Sequence, residues 1–489
     1  MNERPLPRPK ARAVRGFQDR RAEALATERR IVTAVSEVYE SFGFERLETP
    51  AFEYADALGK FLPDADRPNA GVFALQDDDE QWLALRYDLT APLARFAAEN
   101  WASLAKPFRR YAFGSVWRDE KPGPGRYREF VQCDADTVGS ARPEADAEII
   151  AMAVAGYAAA GLAPRTYEVK INNRKLLNGA LAAQGVTGEA QRLAVLRAVD
   201  KLDRLGAAGV ADLLGAGRLD ESGAFTKGAG ISRGAIDGVL AFIEARGATR
   251  AATLDNLSAL VGGSNEGAAG LEELRRIGQA LEWLGVGEDA AVFDPAVVRG
   301  LEYYTGAVFE AELNSQTTDE SGQMARLGSV GGGGRYDDLV ARFTGESVPA
   351  TGFSFGVSRL AAALAVGEGE RAARGPVVVI AFDKARMGEY FAAAGELRAA
   401  GIAAEVYLGE SGIRAQMKYA DRRASPAAVI LGEDEIAAAE VTIKDLDLGR
   451  ELAAGIGDNR AWREARPGQV TAPRADLVAT VRGILGDSR

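Results

Sequence analysis

Residues 109–137, RRYAFGSVWRDEKPGPGRYREFVQCDADT, restrict the fold more than any other stretch of the chain. The central PGPG is a turn or loop, because proline removes backbone donors and glycine supplies uncommon dihedrals. An antiparallel pair of strands around it is therefore predicted. Side chains alternate along a strand, so Arg126, Arg128, Phe130, Gln132, Asp134 and Asp136 share one face of the second strand. Tyr127, Glu129, Val131, Cys133, Ala135 and Thr137 share the other, and Arg118 and Glu120 share a face of the first. Arginine forks onto phosphate, phenylalanine stacks on a base, and carboxylates take an amine. A solvated sheet face laced with surface ion pairs carries the same alternation, so the pattern alone leaves both readings open.

The flanking sequence predicts a mixed architecture. Residues 21–42 have helical apolar spacing, 44–54 are extended with an edge or kink at Pro50, and 82–87 form a short strand. Asp88 is placed to cap a helix in LTAPLARFAAE, and 144–161 form an Ala-rich helix. Short helical segments dominate 170–287, as in a helical domain inserted into a strand-rich one. Strand character returns at 297–313 (VVRGLEYYTGAVFEAEL), followed by a Gly-rich turn at 331–334 and a helix from Asp337. A polar linker, 367–375, precedes strands and helices in alternation, which predicts a small, mostly parallel α/β domain over 375–489. Within 299–306, adjacent tyrosines on a strand face opposite ways, so only one lines a pocket with Arg299 unless a glycine bulge re-aims the chain. An edge strand with packed tyrosines and a surface arginine fits equally well.

Composition excludes whole classes of chemistry. Among 489 residues there is no histidine and a single cysteine, Cys133. Histidine bases, Ser-His-Asp and Cys-His pairs, imidazole metal sites, disulfides and cysteine zinc clusters are all ruled out. Cys133, on the apolar strand face, reads as a buried, inert thiol. A net charge of −11, from 59 basic and 70 acidic residues, cannot hold nucleic acid by bulk attraction, so such a partner needs local basic patches. The basic, Pro-rich start, MNERPLPRPKARAVRG, is followed by no apolar stretch and reads as an arm, not a secretory signal. With no run of about 18 apolar residues, no membrane span is expected, and a cytoplasmic location is. GGGGR at 331–335 lacks the Lys-Ser/Thr of a phosphate loop, and 228–234 misses GxGxxG, so neither a P-loop nor a Rossmann site is assigned.

Five segments together resemble the class II aminoacyl-tRNA synthetases, and in detail their histidine-specific family. They are Arg86-Tyr-Asp-Leu-Thr-Ala-Pro92, Arg118-Asp-Glu120 with Gly125-Arg-Tyr-Arg-Glu-Phe130, Arg299-Gly-Leu-Glu-Tyr-Tyr304, Gly333-Gly-Arg-Tyr-Asp337 and Gly352-Phe-Ser-Phe-Gly-Val-Ser-Arg359. The resemblance implies an α+β catalytic domain with an antiparallel sheet over 1–169 and 288–366, a helical insertion over 170–287 and an anticodon-binding-like α/β domain over 375–489. It also implies that histidine and ATP form an adenylate, with ATP arriving with Mg²⁺ as a substrate, no metal site on the protein and no prosthetic group, and that the acyl group then moves to tRNA-His.

Residue by residue, Arg118 and Arg299 are expected at the α-phosphate as the catalytic pair. Glu120, Arg126, Phe130 and Arg359 join Arg118 in holding ATP. Asp88, Leu89, Thr90 and Gln132 hold the amino acid's ammonium and carboxylate, and Asp136, Tyr303 and Tyr304 read its imidazole. A homodimer is expected through the segment around Pro50. Three positions depart from the common pattern: Asp136 stands where many members have Glu, Gly123 where many have Gln, and Ser358 where an acid is commoner. The alternative is a non-catalytic, synthetase-like regulatory subunit of histidine biosynthesis; such chains lack the anticodon-binding domain and lose the catalytic arginines.

Overall fold

The computed structural model describes residues 10–61, 71–123, 126–219, 223–261, 263–300, 303–314, 316–318, 324–326, 328–367, 374–453 and 468–486. Outside these residues lie Pro124 and Gly125 of the PGPG turn, Leu301 and Glu302 of the RGLEYY segment, most of the predicted linker, and the first nine residues of the N-terminal arm. The chain forms two compact units, Met1–Gly369 and Glu370–Arg489.

The first unit is organised by helix α1 (Ala22–Ser41), strands β1 (Glu45–Arg46), β2 (Phe52–Tyr54), β3 (Ala74–Gln76) and β4 (Trp82–Leu85), and helix α2 (Thr90–Asn100). Then come β5 (Phe108–Trp117), β6 (Glu129–Val138), α3 (Pro143–Ala159) and β7 (Tyr167–Asn173). The helical stretch holds α4 (Arg174–Ala183), α5 (Glu189–Val199), α6 (Leu202–Leu214), α7 (Arg233–Ile243), α8 (Arg250–Leu260) and α9 (Asn265–Trp283). A small ribbon of β8 (Gly217–Leu219) and β9 (Phe225–Lys227) interrupts it. Asn173, Ser232, Thr249 and Ser264 cap α4, α7, α8 and α9 through side-chain oxygens. The unit closes with β10 (Ala291–Phe293), β11 (Ala307–Leu313), β12 (Gln316–Thr318), β13 (Met324–Arg326), β14 (Ser329–Arg335), α10 (Ala341–Thr344), β15 (Ala350–Gly356) and α11 (Val357–Gly367).

Eight strands form one sheet in the order β1-β5-β6-β15-β14-β11-β7-β10. Its six central strands pair antiparallel, and only the outer β1 and β10 run parallel to their neighbours. Cys133 and Ala135 of β6 bury against Tyr39 of α1, beside Phe353 and Phe355 of β15 under Tyr157 of α3. Burial drives the Cys133 thiol well above its ordinary range. A thiol reagent at pH 8 is therefore expected to label the native chain negligibly and to label one sulfur per chain in denaturant.

Three expectations need correction. The segment at 331–334 is strand β14, not a turn: its glycines are selected by close approach across the sheet, where a Cβ on Gly331 would lie 2.8 Å from the Phe353 ring. The strand expected over 297–313 starts only at Ala307. The helix expected from Asp337 is confined to Ala341–Thr344.

The second unit holds β16 (Val377–Ile380), α12 (Met387–Ala399), β17 (Ala404–Val406), α13 (Ile413–Arg422), β18 (Ala427–Ile430) and α14 (Glu433–Ala438). It ends with β19 (Glu440–Asp445), α15 (Leu446–Ala453), β20 (Gln469–Pro473) and α16 (Leu477–Leu485). The sheet order is β17-β16-β18-β19-β20. The α/β character matches expectation, but only the pairings of β16 are parallel; β19 and β20 add antiparallel edges, so the sheet is mixed.

Candidate active site

The face of the large sheet opposite α1 and α3 carries most of the candidate site residues. Even-numbered residues of β6 point to it, and register extends each row across neighbouring strands. Gly114, Gln132 and Gly356 lie side by side, then Ala112, Asp134, Ser354 and Gly332, then Arg110, Asp136, Gly352 and Gly334. Glycines thus recur where neighbouring strands would otherwise project side chains. A Cβ on Gly352 would overlap the Asp136 carboxylate, and one on Gly334 would stand 2.8 Å from the Tyr304 ring. The result is a floor of bare backbone bordered by charged groups, suited to a flat ligand lying against it.

Arginines gather at one end. Arg359 Nη1, from α11, donates to the Ser329 carbonyl at 2.6 Å. Burial lowers the pKa of its guanidinium, and the positive charges of Arg126, Arg299 and Arg118 lower it further. The four cations are thus within electrostatic reach of each other, and a polyanion would relieve their repulsion. Arg118 lies over the rings of Tyr87 and Phe130, 4.3 Å and 5.2 Å from their centroids. Glu120 is exposed, within 3.5 Å of the Tyr87 hydroxyl, and Arg126 is exposed beside the turn it forms with Gly123. Arg299 ion-pairs with Glu310 of β11, a carboxyl whose pKa burial raises while Arg299 opposes the rise.

Carboxyls gather at the other end. Asp88 Oδ1 accepts from the amides of Thr90 and Ala91 at 3.1 Å and 2.9 Å, capping α2 as its sequence position predicts. Leu89 contributes a carbonyl, not a side chain: its side chain is buried and its oxygen accepts from Arg110 Nη2 at 2.7 Å. The same Arg110, fully buried, pairs with Asp136 Oδ2 at 2.9 Å, while Tyr336 donates its hydroxyl proton to Asp136 Oδ1. Burial raises the pKa of Asp136, and Arg110 and Tyr336 hold it down in part. Asp136 Oδ1 thus has a hydrogen-bond partner, while Oδ2 has the ion pair with Arg110 and no hydrogen bond among the described residues.

Tyr303 and Tyr304 do not alternate across a strand. The amides of both donate to the Gly300 carbonyl, and Gly300 itself has φ +60°. Their rings pack edge to face at 5.2 Å, and Tyr303 continues to Tyr336 at 5.4 Å. The two rings thus enter one cluster. Burial raises the pKa of both phenols, which stay protonated donors.

Sequence reasoning assigns no role to Arg110, Tyr336, Glu310 or Glu28. The first three become significant only through the strand register. Glu28 accepts from the Ser358 hydroxyl at 2.6 Å, and the same Ser358 oxygen accepts from the Val131 amide at 3.0 Å. A carboxylate thus reaches the position beside Arg359 from α1.

The open face of this antiparallel sheet thus carries one group of arginines, around Arg359, and one group of carboxyls, around Asp136. The sequence profile of histidyl-tRNA synthetase matches residues 16–360, and that of an anticodon binding domain matches 376–459. The histidine–tRNA ligase of Caulobacter vibrioides is 70% identical over 98% of this chain and 97% of its own length. That of Cereibacter sphaeroides is 55% identical over 98% of each. The crystal structure of histidyl-tRNA synthetase from Nostoc sp. PCC 7120 superposes with a TM-score of 0.73 at 27% identity, covering 97% of this chain and all of that one. The chain belongs to the histidyl-tRNA synthetase family.

Proposed function

We propose that the open face of the sheet joins histidine to ATP, and that the resulting histidyl-adenylate supplies the acyl group to tRNA-His. Charging tRNA with histidine is the activity this family membership carries, and the regulatory-subunit alternative is not favoured. Arg118, Arg299 and Arg359 are all retained, and residues 376–459 match the anticodon-binding profile. The observation that supports the assignment of residues is the grouping of charge: Arg118, Arg126, Arg299 and Arg359 lie within electrostatic reach of one another, and Asp88, Asp134 and Asp136 within reach of one another. A triphosphate fits the first group and an amino acid's ammonium the second.

In the first step a histidine carboxylate oxygen bonds to the α-phosphorus. The bond from that phosphorus to the bridging oxygen breaks, and pyrophosphate leaves. Arg118 and Arg299 face the α-phosphate from two sides and stabilise its developing negative charge, while Arg126 and Arg359 hold the outer phosphates. Phe130 stacks on adenine and Glu120 accepts from its amine. ATP brings Mg²⁺ with it; the acid at this end, Glu310, is already paired with Arg299. No covalent nucleophile or imidazole base is required, because positioning and fixed charge supply the acceleration.

Asp88, Thr90 and Gln132 hold the backbone groups of histidine. Asp136, fixed by Arg110 and Tyr336, lies with Tyr303 and Tyr304 at the imidazole. Buried partners for both ring nitrogens reject analogues that cannot hydrogen-bond by about 10⁴–10⁵. The reaction belongs in the cytoplasm, among tRNA and ATP, and the acting species is a homodimer. Phe52 and Tyr54 of β2 and Leu75 of β3, which flank Leu83 and Leu85 of β4 on one face, leave exposed apolar surface near Pro50 that supports such an interface. Purified chain, tRNA-His, ATP and labelled histidine are expected to give acid-precipitable histidyl-tRNA; no product above a no-enzyme control contradicts the assignment.

A further inference from the structure

We propose that Asp134 holds the substrate's α-ammonium from beneath, as an additional substrate-binding carboxylate of the pocket; the proposal rests on the reading of this face as the histidine site. Its position follows from register. Asp134 lies between Gln132 and Asp136 on the same face of β6, with Ala112 of β5 on one side and Ser354 of β15 on the other, and Gly332 beyond Ser354. These neighbours are small, so no long protein side chain from the adjoining strands covers the carboxyl.

Its bonding is incomplete. Asp134 is 2% exposed, and its Oδ1 has no hydrogen-bond partner among the described residues. No ion pair to it is formed there either: Arg110 pairs with Asp136 and the Leu89 carbonyl through Nη2, its Nε and Nη1 making no hydrogen bond, and Arg86 donates to the carbonyls of Ser115 and Thr49. A buried carboxyl without a cation is expensive to keep. Three carboxyls, Asp88, Asp134 and Asp136, share this end with two guanidiniums, the fully buried Arg110 and the half-buried Arg86. A cationic amine is the group that closes the balance. Imidazole is assigned to Asp136 and the tyrosines, and the substrate carboxylate must point toward the arginines to react, which leaves the ammonium for Asp134.

The charges facing Asp134 come from every packed element: Arg110 of β5, Asp136 of its own strand, Ser354 of β15, and Asp88 and Arg86 ahead of α2. Tyr39 of α1 and Tyr304 also feel its charge. Burial first, and then the charge of Asp136, push its pKa from 3.8 to about 8, against the pull of Arg110 and Ser354. The unfolded chain releases this proton near pH 4 and the folded chain near pH 8. Between those values the folded state holds a proton the unfolded state has lost, so the group makes folding less favourable as pH rises.

The test uses Asp134→Asn and Asp134→Ser in the full-length protein, with two competitive inhibitors of histidine-dependent ATP–pyrophosphate exchange. Histidinol keeps the ammonium and imidazole; imidazole-4-propionate keeps the imidazole and carboxylate but has no ammonium. In either variant the inhibition constant of histidinol is expected to rise roughly 10- to 100-fold, the loss of one charge-assisted hydrogen bond. That of imidazole-4-propionate is expected to stay within about twofold. The ligand-free Asp134→Asn protein is also expected to melt above the unsubstituted chain, by a margin that grows from pH 5 to pH 8. That combination, more stable yet weaker for the amine, marks a group retained for function. Histidinol inhibition unchanged within twofold, equal weakening of both inhibitors, or a lower melting temperature for Asp134→Asn at pH 8 would overturn the proposal. Absence of histidine-dependent exchange in the unsubstituted chain would overturn the underlying reading instead.

Discussion

Replacing Arg299 with alanine is expected to slow histidine-dependent ATP–pyrophosphate exchange by about 10²–10³-fold, the loss typical of removing one preorganised donor at a developing charge. The KM for histidine should change less than threefold, because Arg299 belongs to the cationic end of the floor. The variant has a second effect: it strips Glu310, a buried carboxyl, of its partner. The double variant Arg299→Ala/Glu310→Gln separates the two. If Arg299 acts on the phosphate, the double variant remains as slow as the single one. If its role were only to neutralise Glu310, the double variant would recover most of the rate, and the catalytic assignment would fall.

The largest stability effect is expected at Arg110. This guanidinium is fully buried, and Asp136 beside it is 2% exposed. Cutting Arg110 to alanine leaves an uncompensated carboxylate inside the sheet, at a cost of about 3–5 kcal/mol. Chemical denaturation of the Arg110→Ala protein is expected to show that loss in the transition of the catalytic unit. Adding Asp136→Asn should restore a large part of it by removing the stranded charge, while leaving histidine binding impaired. A single variant as stable as the parent would mean that the pair does not carry the burial energetics assigned to it.

The legibility of this chain tracks the distance between interacting residues. The β5–β6 pairing is readable because strand alternation is local, but β5 ends at Trp117 and β6 begins at Glu129, so Arg118, Glu120, Arg126 and Arg128 lie beyond the strands expected to carry them. The same alternation puts Phe130, Gln132, Asp134 and Asp136 on one face, and the register of β6 with β5 keeps them there. The α/β character of the C-terminal unit is readable from its alternating periods, but the direction of β19 and the existence of β20 are not, since pairing is a tertiary outcome.

Long-range register explains the rest. GGGG at 331–334 has turn composition, yet it is a strand because Tyr157 and Phe353 at Gly331 and the Ala307 carbonyl and Tyr304 ring at Gly334 exclude side chains. RGLEYY has strand composition, yet Gly300 has a positive φ and both tyrosine rings come together. Arg110 gains its meaning only from standing opposite Asp136, with the sequence offering no cue beyond an arginine in a strand. Ser358 has no evident purpose without Glu28, 330 residues away in sequence, which meets it across the helices.

The absence of histidine from the chain excludes histidine general-base mechanisms, and the reaction proposed for the site relies on arginine charge and positioning instead. The most direct measurement is ATP–pyrophosphate exchange by the purified chain with each of the twenty amino acids in turn. Exchange with histidine alone is the predicted result. No exchange with histidine, or equal exchange with another amino acid, would contradict the account.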